Sequence, residues 1–168
     1  DISPDGKKLL CSTSKPDITR CPFSLSSLFE IDLTTLQADT LVAWDAYLGS
    51  ASYSPDGKQL LVTGSPSAFG GIGKNCGEHP IANDFDTQAF IIDLATKKVQ
   101  AITRDFNPTV SPVQWNRVDG CIYFDTTDGD CRHIYRYVPK TGGFEMLPLE
   151  EDVITSFTLA NDNPVVAA

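Results

Sequence analysis

Residues 52–65 read "SYSPDGKQLLVTGS", and the core of that stretch has already appeared as "DISPDGKKLL" at residues 1–10. Pro55 presets the φ of the first turn residue, and Gly57 tolerates the positive φ that closes the turn. The run Leu60-Leu61-Val62 then reads as a short strand. One such turn is ordinary punctuation, but two copies 51 positions apart, Gly6 to Gly57, followed by the same lysine and leucine pattern, define a repeat.

A worn third copy, "NRVDGCIYF" at 116–124, places Gly120 another 63 positions on, and a fourth, "TLANDNPVVAA" at 158–168, puts Asn163 in the glycine slot. Asparagine is the best non-glycine substitute there because it tolerates left-handed backbone angles. Each of the first three turns leads into a β-rich run ("KKLLCST", "KQLLVTG", "CIYFDT"), then a second ("SLFEIDL", "AFIIDL", "HIYRYV"), then a third ("QADTLVA", "KVQAIT", "FEMLPL"). A further strand precedes each later turn: "GSASYS", "SPVQWN" and "ITSFTL". No segment carries a persuasive helical stripe, so the chain reads as all-β.

Four short strands recurring at this spacing describe the blade of a β-propeller. The expected organisation is a partial propeller over 1–168, about three antiparallel four-stranded blades plus a fragment. The blade boundaries fall at 1–48 (a remnant), 49–108, 109–152 and 153–168 (the start of another). Fewer blades than a closed ring needs leave uncovered sheet edges, from which self-association is expected.

Composition narrows the function. Thirteen basic residues face 22 acidic ones in 168, for a net charge of −9, and no Lys/Arg cluster tracks a phosphate backbone, which argues against nucleic acid. Apolar runs such as Phe90-Ile91-Ile92 are far shorter than the roughly 20 residues of a membrane span. Asp1 to Gly6 open on a turn with no basic start and no apolar leader core, as expected of a processed chain or of a piece of a longer one. Five cysteines lack the Cys-x-x-Cys spacing of zinc or redox sites. They read as small buried hydrophobes, with Cys11–Cys21 or Cys121–Cys131 disulfides as the alternative in an oxidising compartment.

The stretches "SPDGK(K/Q)LL", "FIIDLATKKVQAITRDFNPTV" and "DVITSFTLANDNPVV" resemble the N-terminal propeller of prolyl oligopeptidase family serine peptidases, of the bacterial dipeptidyl-peptidase and acylaminoacyl-peptidase types. The Ser-Pro-Asp-Gly-Lys motif is shared with TolB-like propellers. The peptidase resemblance implies a periplasmic or secreted protein whose propeller gates and shields a separate α/β-hydrolase domain and passes small peptide substrates. It implies no cofactor. The nucleophile elbow Gly-x-Ser-x-Gly is not present: "GSASY" at 49–53 and "GSPSA" at 64–68 both fail the spacing. No catalytic residue is therefore assigned. The competing reading is a stand-alone TolB-like interaction module.

One connection is irregular. Residues 66–87, "PSAFGGIGKNCGEHPIANDFDT", form a long link between two predicted strands, and links of that length commonly carry function. It is expected on one rim of the propeller, with Lys74, Glu78, His79 and Asp84 as candidates to meet a hydrolase domain or a substrate. By the resemblance, Glu78 or Asp84 would pair with a peptide's free amine. His79 has only Cys76 near it in sequence as a second metal ligand, so no metal site is assigned. Asp32 and Asp93 are expected to cap turns through their own backbone. Trp44, Tyr53, Trp115, Tyr123, Phe124 and Phe157 are expected to wedge between blades.

Overall fold

The computed structural model describes residues 1–19, 23–76, 86–160, 162 and 166–167. The chain divides into two compact units, Asp1–Phe106 and Asn107–Ala168.

In the first unit each Ser-Pro-Asp-Gly turn builds the same network. Ser3 Oγ donates to Asp5 Oδ1 (2.7 Å) while accepting from Lys8 N (2.9 Å), and Lys7 N donates to the same carboxylate oxygen. Ser54, Asp56, Lys58 and Gln59 repeat these bonds at matching distances. Gly6 and Gly57 close the turns at φ 73° and 69°. The first turn launches β1 (Lys8–Pro16), which pairs with β2 (Ser24–Asp32), and β2 pairs with β3 (Ala38–Asp45), an antiparallel three-stranded sheet. The second turn joins β4 (Leu48–Tyr53) to β5 (Gln59–Gly64), and β6 (Gln88–Asp93) and β7 (Val99–Ala101) complete a four-stranded antiparallel sheet in sequence order.

Leu60 to Gly64 and Ala89 to Ile92 are buried without alternation, which is why their sequences read as continuous apolar runs. The two sheets share one core: Leu10 and Leu28 meet Leu48, Tyr53, Leu60, Val62 and Phe90. Fully burying an aliphatic or aromatic side chain of this size is worth about 1.5–3 kcal/mol.

Asp32 and Asp93 behave as expected. Asp32 Oδ1 accepts from Thr34 N and Thr35 N (2.8 Å each), and Asp93 Oδ1 accepts from Thr96 N and Thr96 Oγ1 (2.7 Å each). In both turns the fourth residue after the aspartate adopts a left-handed φ of 59°, at Leu36 and Lys97.

In the second unit, Asn116 Oδ1 accepts from Val118 N (2.7 Å), and Asp119 Oδ1 accepts from Cys121 N (2.8 Å), so the third turn keeps the capping chemistry at the same length, with its aspartate and glycine one place later. Strands β8 (Val110–Trp115), β9 (Ile122–Asp128), β10 (Cys131–Val138) and β11 (Gly143–Met146) form an antiparallel four-stranded sheet. The segment after β11 returns over it: Arg132 N donates to Asp152 O, Ile154 N donates to Arg132 O, and Ile154 and Phe157 bury against Cys121, Tyr123 and Ile134. A two-stranded pair follows, β12 (Thr158–Leu159) with β13 (Val166–Ala167). The fourth turn glycine slot, Asn163, lies outside the described residues.

Two expectations are corrected. Cys131 stands opposite Asp128 in the β9–β10 register, seven residues along β9 from Cys121. That separation is about 23 Å, whereas a disulfide needs Cα atoms within about 7 Å. Cys121 and Cys131 are both free thiols, as is Cys11, while Cys21 lies outside the described residues. Trp44 is not wedged in a core: it is 44% exposed, at φ 35°, with Lys15 Nζ 4.2 Å from its ring centroid. Tyr53, Tyr123, Phe124 and Phe157 are buried.

Candidate functional site

The β5–β6 connection is a built segment over its described part. Ser65 N donates to Tyr47 O and Ala68 N to Ser65 O, which turns the chain into α1 (Ala68–Gly71). Inside α1, Phe69 (φ 54°, ψ 45°) and Gly70 (φ 73°) are left-handed, as is Gly71 (φ 82°). For phenylalanine that conformation costs about 1–2 kcal/mol. Two contacts hold it: Phe69 N donates to Asp45 Oδ2 (2.8 Å), and the Phe69 ring meets Phe90 edge-on at 5.0 Å. Gly73 is packed so closely that a Cβ there would collide with Gln88 Oε1 and lie 3.1 Å from Phe90 Cζ and Pro66 Cα.

Lys74, the first sequence-chosen candidate, is fastened through its backbone. Its carbonyl accepts from Arg104 Nε (3.1 Å), while Asn75 Nδ2 donates to Arg104 O (3.5 Å). Glu78, His79 and Asp84 lie outside the described residues. The sequence marks the segment as a long link between two strands. Its described part is a turn over Ala68–Gly71, left-handed at Phe69, Gly70 and Gly71, with an anchored return, because the glycines permit left-handed angles and Phe69 finds a partner in the core.

A second cluster joins the two sheets of the first unit. Glu30, in β2, is 6% exposed. Its Oε2 accepts from Lys8 Nζ (2.9 Å) and its Oε1 from Tyr53 OH (2.7 Å) on β4. Burial, and then the Glu30 bond, hold the Tyr53 phenol well above the ordinary tyrosine value, while the Glu30 bond raises Lys8. Both carboxylate oxygens are engaged, so the trio clamps two sheets. A cleft of about 310 Å³ opens beside it, between the two Pro-Asp-Gly turns, bordered by Pro4, Asp5, Lys8, Asp56 and Gly57. Sequence reasoning missed Glu30, although an acid between Phe29 and Ile31 in an apolar strand was a visible signal.

The second unit has its own polar set. Asp125, 3% exposed, accepts from Arg132 Nη2 (2.7 Å). Tyr123 OH donates to Asp119 Oδ2 (2.7 Å), and burial followed by that bond pushes the Tyr123 phenol up to about 12. Arg136 pairs with Glu145 across β10 and β11.

With this geometry in view, solved structures provide the comparison. TolB from Acinetobacter baumannii superposes with a TM-score of 0.63 at 23% identity, over 95% of this chain and 34% of that one. These are propellers. The described sheets are blades of a β-propeller segment. A putative TolB from Agrobacterium tumefaciens gives a TM-score of 0.57 at 14% identity, over 86% of this chain and 46% of that one. The Pyrococcus horikoshii acylaminoacyl peptidase gives 0.52 at 20% identity, over 95% of this chain and 25% of that one. The segment thus spans from a quarter to under half the length of these structures. Neither a family model nor a curated protein matches the sequence.

Proposed function

We propose that this propeller segment is the non-catalytic part of a serine peptidase, gating and shielding an active site carried by an α/β-hydrolase domain in a periplasmic or secreted protein. The supporting observation is its likeness to the acylaminoacyl peptidase over 95% of its length. The sequence also lacks a nucleophile elbow while carrying a long β5–β6 connection anchored at its base. In this reading Lys74, Glu78, His79 and Asp84 belong to the rim that meets the hydrolase domain or a passing peptide. No helix among the described residues is long and apolar enough to cross a membrane.

The coding sequence beyond Ala168 tests this proposal. A Gly-x-Ser-x-Gly elbow followed by Asp and His supports the peptidase reading. A stop codon within about two further blades contradicts it. The second reading, a TolB-like protein-interaction module, is favoured by the TM-score of 0.63 with the Acinetobacter TolB, and that early stop is what it expects.

A further inference from the structure

A groove of about 290 Å³ lies between β3 and the β6–β7 hairpin. Val42, Phe69, Ile92 and Val99 give it apolar walls, and Asp45 and Lys97 stand at its two ends. The register fixes the order: Phe69 packs on Phe90 at the Asp45 end, Ile92 pairs with Val99 midway, and Lys97 follows Leu94 at the other end. From Phe90 to Leu94 is a rise of about 13 Å.

The two end charges are not equivalent. Asp45 is already engaged, Oδ1 by Ala46 N (2.7 Å) and Oδ2 by Phe69 N (2.8 Å), and it serves to hold the strained Phe69 wall in place. Lys97 makes no ion pair among the described residues. Nor does the turn require a lysine there. The matching left-handed slot holds Leu36 in the β2–β3 turn and Gly142 in the β10–β11 turn, at φ 59° and 71°.

We infer that this groove binds a single-chain amphiphilic carboxylate, its tail along Val42, Phe69, Ile92 and Val99 and its head group paired with Lys97. A pre-formed apolar trough with one uncommitted cation suits that chemistry, because the walls remove the tail from water and the ammonium supplies the one directional contact. A peptide's zwitterion would have to share Asp45 with the two backbone donors that already hold it, whereas a carboxylate head group needs only Lys97.

Calorimetric titration of the purified protein with decanoate, below its micelle concentration, tests the assignment. The expected result is saturable one-site binding that weakens about fivefold or more in Lys97→Asn, and that weakens with salt. Asparagine accepts the left-handed backbone, so the variant keeps the turn, and an unchanged circular dichroism melt confirms it. The assignment is overturned by a lack of saturable binding, by unchanged affinity in Lys97→Asn, by equal affinity for decanol, or by tighter binding of N-acetyl-trileucine than of decanoate.

Discussion

Gly57 shows how a single backbone angle carries the repeat. At φ 69° it holds a backbone conformation that residues with a side chain rarely adopt, while a Cβ there would meet Pro4 Cδ only at an ordinary contact distance of 3.4 Å, so the cost of substitution is conformational. Gly57→Ala should lower stability by about 1–2 kcal/mol, read as a downward shift in the thermal midpoint. The turn aspartates act by charge. The Ser3 and Ser54 hydroxyls and neighbouring backbone N–H groups hold Asp5 and Asp56 below the usual carboxylate range, and backbone donors do the same for Asp32 and Asp93. A carboxyl with a lowered folded value favours the fold above its unfolded value, about 3.9, and that contribution fades as pH falls through the folded value. Acid melts should therefore show midpoints dropping below about pH 4, less steeply in a variant with Asp5 and Asp56 both changed to Asn. At the alkaline end the sign reverses. Tyr53 and Tyr123 are raised, so the neutral phenols favour the fold below about pH 10 and the contribution is lost as pH climbs above it. Tyr53→Phe should flatten that alkaline loss, and at neutral pH should cost about 1–3 kcal/mol because Glu30 loses a buried donor.

Among the elements, the central strands were the most legible in sequence and the outer ones the least. "KQLLVTG" and "AFIIDL" announce β5 and β6 because strands buried on both faces must be continuously apolar. β7 has three residues and β12 two, and pairing with a neighbour defines such short pieces more than their own composition does. Trp44 was misplaced for a related reason: β3 is an outer strand with shifted register against β2, so strict alternation fails along it. The β5–β6 connection was located correctly in sequence, but its anchoring was not legible, since the Asp45–Phe69 and Lys74–Arg104 bonds join residues distant along the chain. Gly73→Ala tests that anchoring. Its new methyl would strike Gln88, Phe90 and Pro66. Proteolysis at the connection should accelerate several-fold with a smaller change in the global melt, and equal protection of variant and parent would show that the segment does not depend on close packing at Gly73.

At the level of the whole chain, the three larger sheets end on strands paired on one side only within their sheet: β1 and β3, β4 and β7, β8 and β11. On that basis the proposal extends to weak self-association, seen in light scattering as mass rising with concentration, and a strict monomer at high concentration would contradict it. The fold itself rests on four-stranded antiparallel sheets with β5, β6, β9 and β10 at their centres. Native-state amide hydrogen exchange tests this most directly. The account predicts the slowest exchange at Leu60–Val62, Phe90–Ile92, Ile122–Phe124 and Ile134, with β7 and β11 exchanging far sooner. Uniform exchange across all strands, or a continuous helical block of protection over 27–45 or 88–104, would contradict it.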